Sequence, residues 1–226
     1  ASDVYKRQVS NYLTGGQKDV NHLESYFAKA SYNLDEKYFI DASVRRDGSS
    51  IFHPDHRWGT FFSVGGSWQL AKESFMARYD WINDLKLRTS FGQVGNNQLL
   101  DRNGNQIYFG YQGLYELGHN NGPYPGTLLY SLPNPDLTWE TSNSFNLGLD
   151  FSVLSNRLRG SLEYYRRGSD QLLMLVPRAS SSAVDFEYKN VGAMYNRGFE
   201  ISLTADIVRN GTFRWTVVNN PVSYTH

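Results

Sequence analysis

Eight segments of the chain alternate apolar and polar residues one by one. In the second of them, Ile40, Ala42 and Val44 are apolar, whereas Asp41 and Ser43 between them are polar. A period of two residues places the two sets on opposite faces of a β-strand. The pattern predicts strands at about residues 23–33, 37–46, 59–70, 85–94, 143–151, 158–167, 198–206 and 213–220.

The connections between these strands alternate between short and long. Short or medium connections occupy residues 34–36, 71–84, 152–157 and 207–212. Long connections lie between them, at residues 47–58, 95–142 and 168–197. All seven prolines fall outside the predicted strands, which supports the assignment because proline cannot donate to a strand ladder. Within the medium connection, residues 72–76 are expected to form a short helix.

Strands of about 9–11 residues with this loop rhythm are typical of a transmembrane β-barrel. In bacterial outer-membrane barrels the short turns are periplasmic and the long loops are extracellular. The predicted fold is therefore all-β: an antiparallel transmembrane β-barrel segment, about eight strands of a larger barrel, with long extracellular loops. The apolar set of each strand is expected to face lipid, and the polar set is expected to face the lumen.

Composition narrows the possible functions. Lysine plus arginine equal aspartate plus glutamate at 22 each, so no basic excess points to a nucleic-acid partner. Aromatic residues make up 15% of the chain, which suits the aromatic girdles of barrels and also an aromatic-rich soluble β-domain. The chain has no cysteine, which excludes disulfides and thiolate chemistry. The chain contains no run of about 18 apolar residues, so the sequence predicts no transmembrane helix.

Candidate chemistry is sparse. Strand carboxylates such as Asp150 and Glu163 share the polar face with Arg88 and Arg159, and mixed charge of this kind fits a hydrated lumen better than a catalytic pair. The sequence His53-Pro54-Asp55-His56 offers three metal ligands but no fourth, which favours a solvated loop over a metal site. We therefore expect no catalytic residues, no metal site and no cofactor, and we do not expect an enzyme.

Loop aromatics are the candidates for contact with a ligand. Connection 95–142 is too long for an ordinary connection, and loops of this length usually carry function or are disordered. Its tyrosines combine an apolar face with a polar tip and could stack on sugars or peptide side chains, or could pack the loops against one another. The candidate contact residues for substrate or a lid protein are Trp58, Tyr108, Tyr111, Tyr115, Tyr124 and Tyr130.

Several segments also carry a family resemblance. They include RRDGSS at 45–50, FSVGGSWQLAKESFM at 62–76, LKLRTSFGQVGNN at 85–97, NPDLTWETS at 134–142 and NVGAMYNRGFEISL at 190–203. In this order they closely resemble the C-terminal barrel of SusC/RagA-type TonB-linked (TonB-dependent) outer-membrane transporters of Bacteroidetes. The resemblance covers about residues 23–220.

The resemblance implies a 22-stranded barrel in the bacterial outer membrane, occluded by an N-terminal plug. It also implies import of oligosaccharides or peptides, energy from TonB through a region N-terminal to this segment, and a SusD-like lipoprotein as an extracellular lid. The expected partners are thus outer-membrane lipid, that lipoprotein, TonB and a glycan or peptide cargo. Which cargo is carried stays open at this stage.

The ends of the chain differ from the rest. Residues 1–8 (ASDVYKRQ) and 221–226 (PVSYTH) fit neither the strand pattern nor the family, and we expect them to be non-native. Residues 9–220 are then a partial TonB-dependent receptor β-barrel. Because an isolated part of a barrel has two open edges, we expect it not to insert into lipid as a monomer.

Two other functions remain open on sequence alone. A passive porin or adhesin barrel has the same strand and loop pattern. A soluble carbohydrate-binding β-sandwich is also built from short alternating strands.

Overall fold

Strands dominate the structure, a computed structural model that describes residues 20–179, 181, 182, 184, 186–209 and 213–225. The strands are β1 (Leu23–Leu34), β2 (Tyr38–Ser49), β3 (Trp58–Gln69), β4 (Ile82–Asn96), β5 (Leu114–Leu117), β6 (Thr127–Ser131), β7 (Glu140–Val153), β8 (Leu158–Asp170), β9 (Leu173–Pro177), β10 (Phe186–Asn190), β11 (Ala193–Arg209), β12 (Arg214–Asn219) and β13 (Val222–Thr225). All eight predicted strands are confirmed. The expected short helix at 72–76 takes the form of two 3₁₀ turns, Leu70–Lys72 and Ser74–Met76. Among the described residues, no helix has the length and apolarity that a membrane crossing requires.

One antiparallel sheet contains nine of these strands: eight follow the order β1-β2-β3-β4-β7-β8-β11-β12, and β13 is the ninth. Strand β13 pairs with the same edge of β11 as β12 does, so β12 and β13 form one line interrupted at Pro221, whose carbonyl accepts a hydrogen bond from the Ile201 amide at 3.1 Å. Within the described part of the chain, the sheet does not close, and β1 and the β12–β13 line form its two edges. An open, all-antiparallel sheet of this size fits a segment of a larger barrel.

The two ends of the chain stay predictions. Residues 1–8 lie outside the described residues. Strand β13 falls within the six C-terminal residues that the sequence analysis expects to be non-native, and it pairs with β11 over Arg197–Glu200.

The register confirms that apolar and polar residues take opposite faces of the sheet. Side chains that share one row of the apolar face, from β2 across to β7, are Ala42, Val64, Phe91 and Phe145. On the polar face Ser43 lies opposite Ser63, and their hydroxyls are 2.7 Å apart. A one-residue slip would exchange the two faces along a whole strand, so this pattern fixes the pairing.

The apolar face is exposed rather than covered by a second layer. Ile40 is 52% exposed and Phe199 is 62% exposed, although both side chains are large and apolar. In a β-sandwich such a face would pack on a second sheet about 10 Å away. The sandwich alternative is therefore wrong for the described residues, and the exposed face suits contact with lipid.

Two aromatic pairs mark the limits of this apolar face. Near the long loops Trp58 stacks on Tyr26 with ring centroids 6.2 Å apart, and at the opposite end Trp68 stacks on Tyr38 at 6.0 Å. The two tryptophans are ten positions apart on β3, which is about 33 Å along a strand and about 25 Å along the barrel axis at a tilt of roughly 40°. The apolar band of an outer-membrane barrel between its aromatic girdles is about 25 Å tall.

Short turns and long connections lie at opposite ends of the sheet, as predicted. In the β1–β2 turn, Asp35 and Glu36 both have φ of 52°, which is the left-handed geometry that a tight hairpin requires. The Asn210-Gly211 turn predicted between the last two long strands lies outside the described residues. The long connections 50–57, 97–139 and 171–192 lie together at the other end, and they contain the hairpins β5–β6 and β9–β10.

The largest buried apolar cluster lies at the long-connection end. Its members are Ile51, Phe52, Phe61, Leu99, Leu137, Trp139 and Tyr188, with Ile107, Tyr108, Leu173 and Leu175 packed against them. Most of these residues come from the long connections and their hairpins, not from the membrane-facing wall. We call connections 50–57, 97–139 and 171–192, together with this cluster, the loop platform.

Candidate functional site

Trp139 lies at the centre of the loop platform. It is 5% exposed, and its ring centroid lies 5.5 Å from that of Phe52 and 5.7 Å from that of Phe61. Its indole Nε1 donates a hydrogen bond of 2.9 Å to the carbonyl of Arg57. This one side chain joins the connection after β2, the wall strand β3 and the start of β7, so it fixes the loops to the barrel wall.

Two asparagines tie the long connections to each other. Asn134 Nδ2 donates to the carbonyl of Tyr188 at 2.7 Å, which joins connection 97–139 to β10. Asn190 Nδ2 donates to the carbonyl of Thr138 at 2.8 Å, and Asn190 Oδ1 accepts from the Thr138 amide at 2.9 Å. An asparagine side chain can satisfy backbone groups in this way where no strand partner is available. These side-chain-to-backbone hydrogen bonds join the long connections into one unit.

Tyr188 is the largest fully buried side chain of the platform. It has no exposed surface, and its hydroxyl has no hydrogen-bond partner among the described residues. Burial raises the pKa of Tyr188 to about 12, and the nearby Tyr130 and Asp101 act in the same direction. The hydroxyl therefore stays protonated throughout the physiological range and acts as part of the packing.

Two of the predicted contact tyrosines pack within the platform. Tyr108 packs against the buried cluster. Tyr111 contacts His53 edge to face, with centroids 5.6 Å apart, and its hydroxyl accepts a hydrogen bond from Gln112 Nε2 at 3.0 Å. These positions favour the loop-packing interpretation for both residues.

The other predicted tyrosines project from the β5–β6 hairpin. Tyr115 is 65% exposed and Tyr124, in the loop that joins the two strands, is 73% exposed. Tyr130 on β6 is also exposed, but less so. Exposed aromatic rings on one hairpin could receive a ligand or a lid protein, and contact with either stays a prediction for all six candidates.

Trp58 lies apart from the tyrosines, on the apolar face of the sheet. Besides its stack on Tyr26, the Trp58 ring lies under the Arg46 guanidinium, whose central carbon is 5.2 Å from the ring centroid. An aromatic ring with a cation at the limit of an apolar band is typical of an interfacial anchor. This position favours contact with lipid headgroups.

The histidine-rich loop does not bring its candidate ligands to one point. His53 Nδ1 lies 3.4 Å from an Asp55 carboxylate oxygen, whereas His56 Nε2 lies 3.8 Å from the Asp136 carboxylate. Among the residues that the structure describes, no group of three histidine, aspartate or glutamate side chains is arranged to hold a metal ion.

The polar face carries an ionic network across three adjacent strands. Arg88 on β4 approaches Asp150 on β7 at 3.1 Å and Glu163 on β8 at 2.6 Å. Gly148 lies directly opposite Arg88, and a Cβ there would be 2.7 Å from the guanidinium carbon. The absent side chain gives the guanidinium room to reach both carboxylates. The network gives the lumen wall a fixed polar lining.

A cavity of about 780 Å³ lies on the polar face near the platform. Its lining includes the small residues Gly92, Ser142 and Ser144, the apolar side chains of Val94 and Met194, and the polar side chains of Arg167 and Asn196. The Asn196 side-chain oxygen Oδ1 is buried and has no hydrogen-bond partner among the described residues. The arrangement can accept an extended chain segment, either of a cargo or of the remainder of the protein.

Sequence reasoning missed the residues that hold the platform together. Trp139, Phe61 and Tyr188 were not predicted to be core residues. A signal was present for Phe61, because it is a large apolar residue on the polar face of its strand, as is Phe27 of β1. Tyr188 lies on β10, a strand of five residues within a long connection, which is too short for periodicity to be informative.

Comparisons with known proteins agree with this architecture. A family model described as "TonB dependent receptor-like, beta-barrel" matches residues 2–226. TonB-dependent receptor P39 of Formosa agariphila is 35% identical over 207 residues, which cover 92% of this chain and 19% of that protein. TonB-dependent receptor SusC of Bacteroides thetaiotaomicron is 33% identical over 231 residues, which cover 99% of this chain and 22% of that protein.

The solved structures include a close match. The RagAB peptide importer in its "closed-closed" state superposes with a TM-score of 0.75 and 31% identity, over 89% of this chain and 22% of that chain. This chain spans about a fifth of the length of the curated relatives it matches. Since the family model matches almost the entire sequence, the chain belongs to the TonB-dependent receptor-like β-barrel family of the bacterial outer membrane.

Proposed function

We propose that the intact protein imports peptides or oligosaccharides across the outer membrane with energy supplied through TonB. The proposal rests mainly on the likeness to the RagAB peptide importer, which extends over 89% of this chain at 31% identity. The "open-open" state of that importer superposes equally well, with a TM-score of 0.76 over 90% of this chain. Of the two cargo classes, this likeness favours peptides.

The two faces of the sheet support a transport role. The apolar face between the aromatic pairs suits lipid, and the opposite face carries Arg88 with its two carboxylates and the serine pair at Ser43 and Ser63. A wall that is polar on its inner side can border water, a plug or a hydrophilic cargo. In the intact barrel, this face surrounds the plug through which TonB acts.

The loop platform supports a partner on the extracellular side. Its core is buried and cross-linked, and the β5–β6 hairpin projects from it with Tyr115 and Tyr124 exposed. Aromatic residues are enriched at protein interfaces because they bury a large area at low entropic cost. A SusD-like lipoprotein that closes over the barrel would meet this hairpin, as would an arriving cargo.

Uptake by the full-length receptor tests this function. The full-length receptor and a SusD-like lipoprotein are produced in a host that lacks its own importers, with and without TonB, and uptake of labelled peptides and labelled oligosaccharides is measured. Saturable uptake of one class that disappears without TonB is the expected result. Uptake that persists without TonB would instead favour the passive porin, and binding without uptake would favour the adhesin.

A matched control separates loss of energy supply from loss of the barrel. A receptor that lacks only its TonB-contacting segment should reach the outer membrane in normal amount and bind cargo, but it should not import. If this truncated receptor imports at the full rate, TonB does not drive the process.

A further inference from the structure

Two arginines lie next to each other on the apolar face of the wall. Arg166 on β8 and Arg197 on β11 are directly opposite in the register, and both are exposed. Side chains directly opposite on an antiparallel pair have Cβ atoms about 4.5–5.5 Å apart, and like charges at this separation destabilise the pair. Among the described residues, neither arginine has a carboxylate within ion-pair distance.

The two arginines lie at the depth of the interface between the membrane and the extracellular water. Arg166 lies eight positions beyond Leu158, the first residue of β8 after the periplasmic turn, which is about 26 Å along the strand and about 20 Å along the barrel axis. Arg197 lies near the start of β11, just after the long connection 171–192. Both arginines therefore lie near the extracellular limit of the apolar band.

A cavity with aromatic walls borders Arg166. It has a volume of about 690 Å³, and Phe91, Phe145, Tyr164 and Tyr195 line it, together with the polar residues Gln93, Asn143 and Asp170. The Arg166 guanidinium carbon lies 5.7 Å from the centroid of the Tyr195 ring. On the other neighbouring strand, β7, Phe145 lies directly opposite Arg166. The Arg166 guanidinium therefore lies between aromatic residues of the lipid-facing side.

We propose that Arg166 and Arg197 together bind the phosphate of a phosphorylated lipid in the outer leaflet, with an acyl chain in the adjacent aromatic cavity. A phosphate between the two guanidinium groups removes their repulsion and forms charge-assisted hydrogen bonds that two arginines are well suited to donate. An arginine that merely extends to the interface needs no second arginine beside it. This site is independent of the cargo and of the lumen.

Lipid retention by the full-length receptor tests the proposal. The receptor is placed in nanodiscs of equal phosphatidylglycerol and phosphatidylcholine, is then transferred to mild detergent, and the lipids that stay bound are counted by native mass spectrometry. The variants are Arg166→Gln/Arg197→Gln and, as a matched control, Arg167→Gln, the next residue of β8 on the polar face. A band that shifts on heating shows that each variant is a folded barrel.

The expected result is a preference of the native receptor for phosphatidylglycerol that falls about tenfold in the double variant and not in Arg167→Gln. The preference should also fall with added salt. Equal retention of the two lipids by the native receptor would overturn the proposal. An equal preference for phosphatidylglycerol in the native receptor and in the double variant would also overturn it. Displacement of the lipid by an equal concentration of inorganic phosphate would show an anion site without lipid specificity, and would also overturn it. If the double variant does not fold, the lipid preference and salt dependence of the native receptor decide the matter.

Discussion

Trp58 and Trp68 project from the same face of β3, ten positions apart, and each stacks on a tyrosine of a neighbouring strand. Their separation matches the apolar height of an outer-membrane barrel, so the pair places the wall in the membrane. Position 43 of β2 lies midway between the rows of the two tryptophans, because Trp58 pairs with Gly48 and Trp68 pairs with Tyr38.

Substitutions at neighbouring positions of β2 test which face meets lipid. Val44→Arg places a charge on the apolar face near the middle of the band and should cost about 2–4 kcal/mol. Ser43→Arg places the same charge on the polar face and should cost much less, although it removes the hydrogen bond to Ser63. Denaturant unfolding of the full-length receptor in lipid vesicles measures both. Equal losses would mean that the two faces are assigned wrongly.

The absence of a side chain at position 148 allows the ionic network to form. Gly148→Ala should displace the Arg88 guanidinium from Asp150 and Glu163 and lower the unfolding free energy by roughly 1–3 kcal/mol. Gly65→Ala is the matched control, because a Cβ there meets its nearest neighbours at 3.7 Å, an ordinary contact.

A double-mutant cycle identifies the cause of that loss. In an Arg88→Gln background the shorter side chain no longer occupies the space, so Gly148→Ala should cost less than in the native protein. Additive losses would show that Gly148 is needed for some other reason.

Trp139 should hold the loop platform together. Trp139→Ala should cost about 3–5 kcal/mol locally, and Trp139→Phe should cost less because much of the ring packing remains although the hydrogen bond to Arg57 is lost. Limited proteolysis of the extracellular loops in the folded receptor reports the change. Trp81→Ala is the control, since Trp81 is an exposed tryptophan at the opposite end of the sheet. Unchanged loop cleavage in Trp139→Ala would contradict the central role of this residue.

Tyr115 and Tyr124 should contribute to capture of cargo or lid. Replacement of both by alanine should weaken capture by roughly 2- to 10-fold per ring, the range that corresponds to about 0.5–1.5 kcal/mol for an aromatic contact. Binding of cargo and of the lipoprotein to the purified receptor measures this. Tyr32→Ala, which removes an exposed tyrosine from the apolar face, serves as the control. If the control weakens capture as much as the loop variant does, these rings have no specific role.

Glu73 should make the stability of the periplasmic edge depend on pH. Hydrogen bonds from the Tyr38 hydroxyl at 2.6 Å and the Trp68 indole at 3.0 Å hold the pKa of Glu73 below its ordinary value. Because the folded-state pKa is lowered, the stabilisation is present above the unfolded-state pKa and is lost as the pH falls through the folded-state pKa. The difference in unfolding free energy between the native receptor and Glu73→Gln should therefore be largest near neutral pH and should shrink in acid. A difference that grows in acid would contradict this sign.

The strands could be predicted from the sequence because a period of two survives wherever one face meets lipid and the other meets water. The segment around Ile40, Ala42 and Val44 shows this alternation without interruption, and its partner strands repeat it. The extra length of the strands was missed, for example at Glu140 of β7, because above the membrane both faces meet water or loops and the alternation fades.

The hairpins β5–β6 and β9–β10 were not predicted. Leu173–Pro177 is a continuous apolar run within a long connection, and Thr127–Ser131 is short, so neither shows the alternation of the wall. The tyrosines could be named as candidates from composition, but their separation into packed and projecting groups depends on tertiary contacts such as that between Tyr111 and His53. The ionic network was visible only as mixed charge, since the role of Gly148 requires the register.

The position of the buried cluster implies that two parts of this molecule are stabilised by different interactions. Side chains that interdigitate in the manner of a globular interior sit in the loop platform, whereas the wall relies on its backbone ladder and on whatever hydrocarbon surrounds it. Exchanging one lipid or detergent for another should therefore disturb the strands of the wall and leave the loop platform intact. A mild denaturant should instead loosen the loop platform first. The extracellular opening could then change shape around a bound molecule without straining the barrel wall in the membrane.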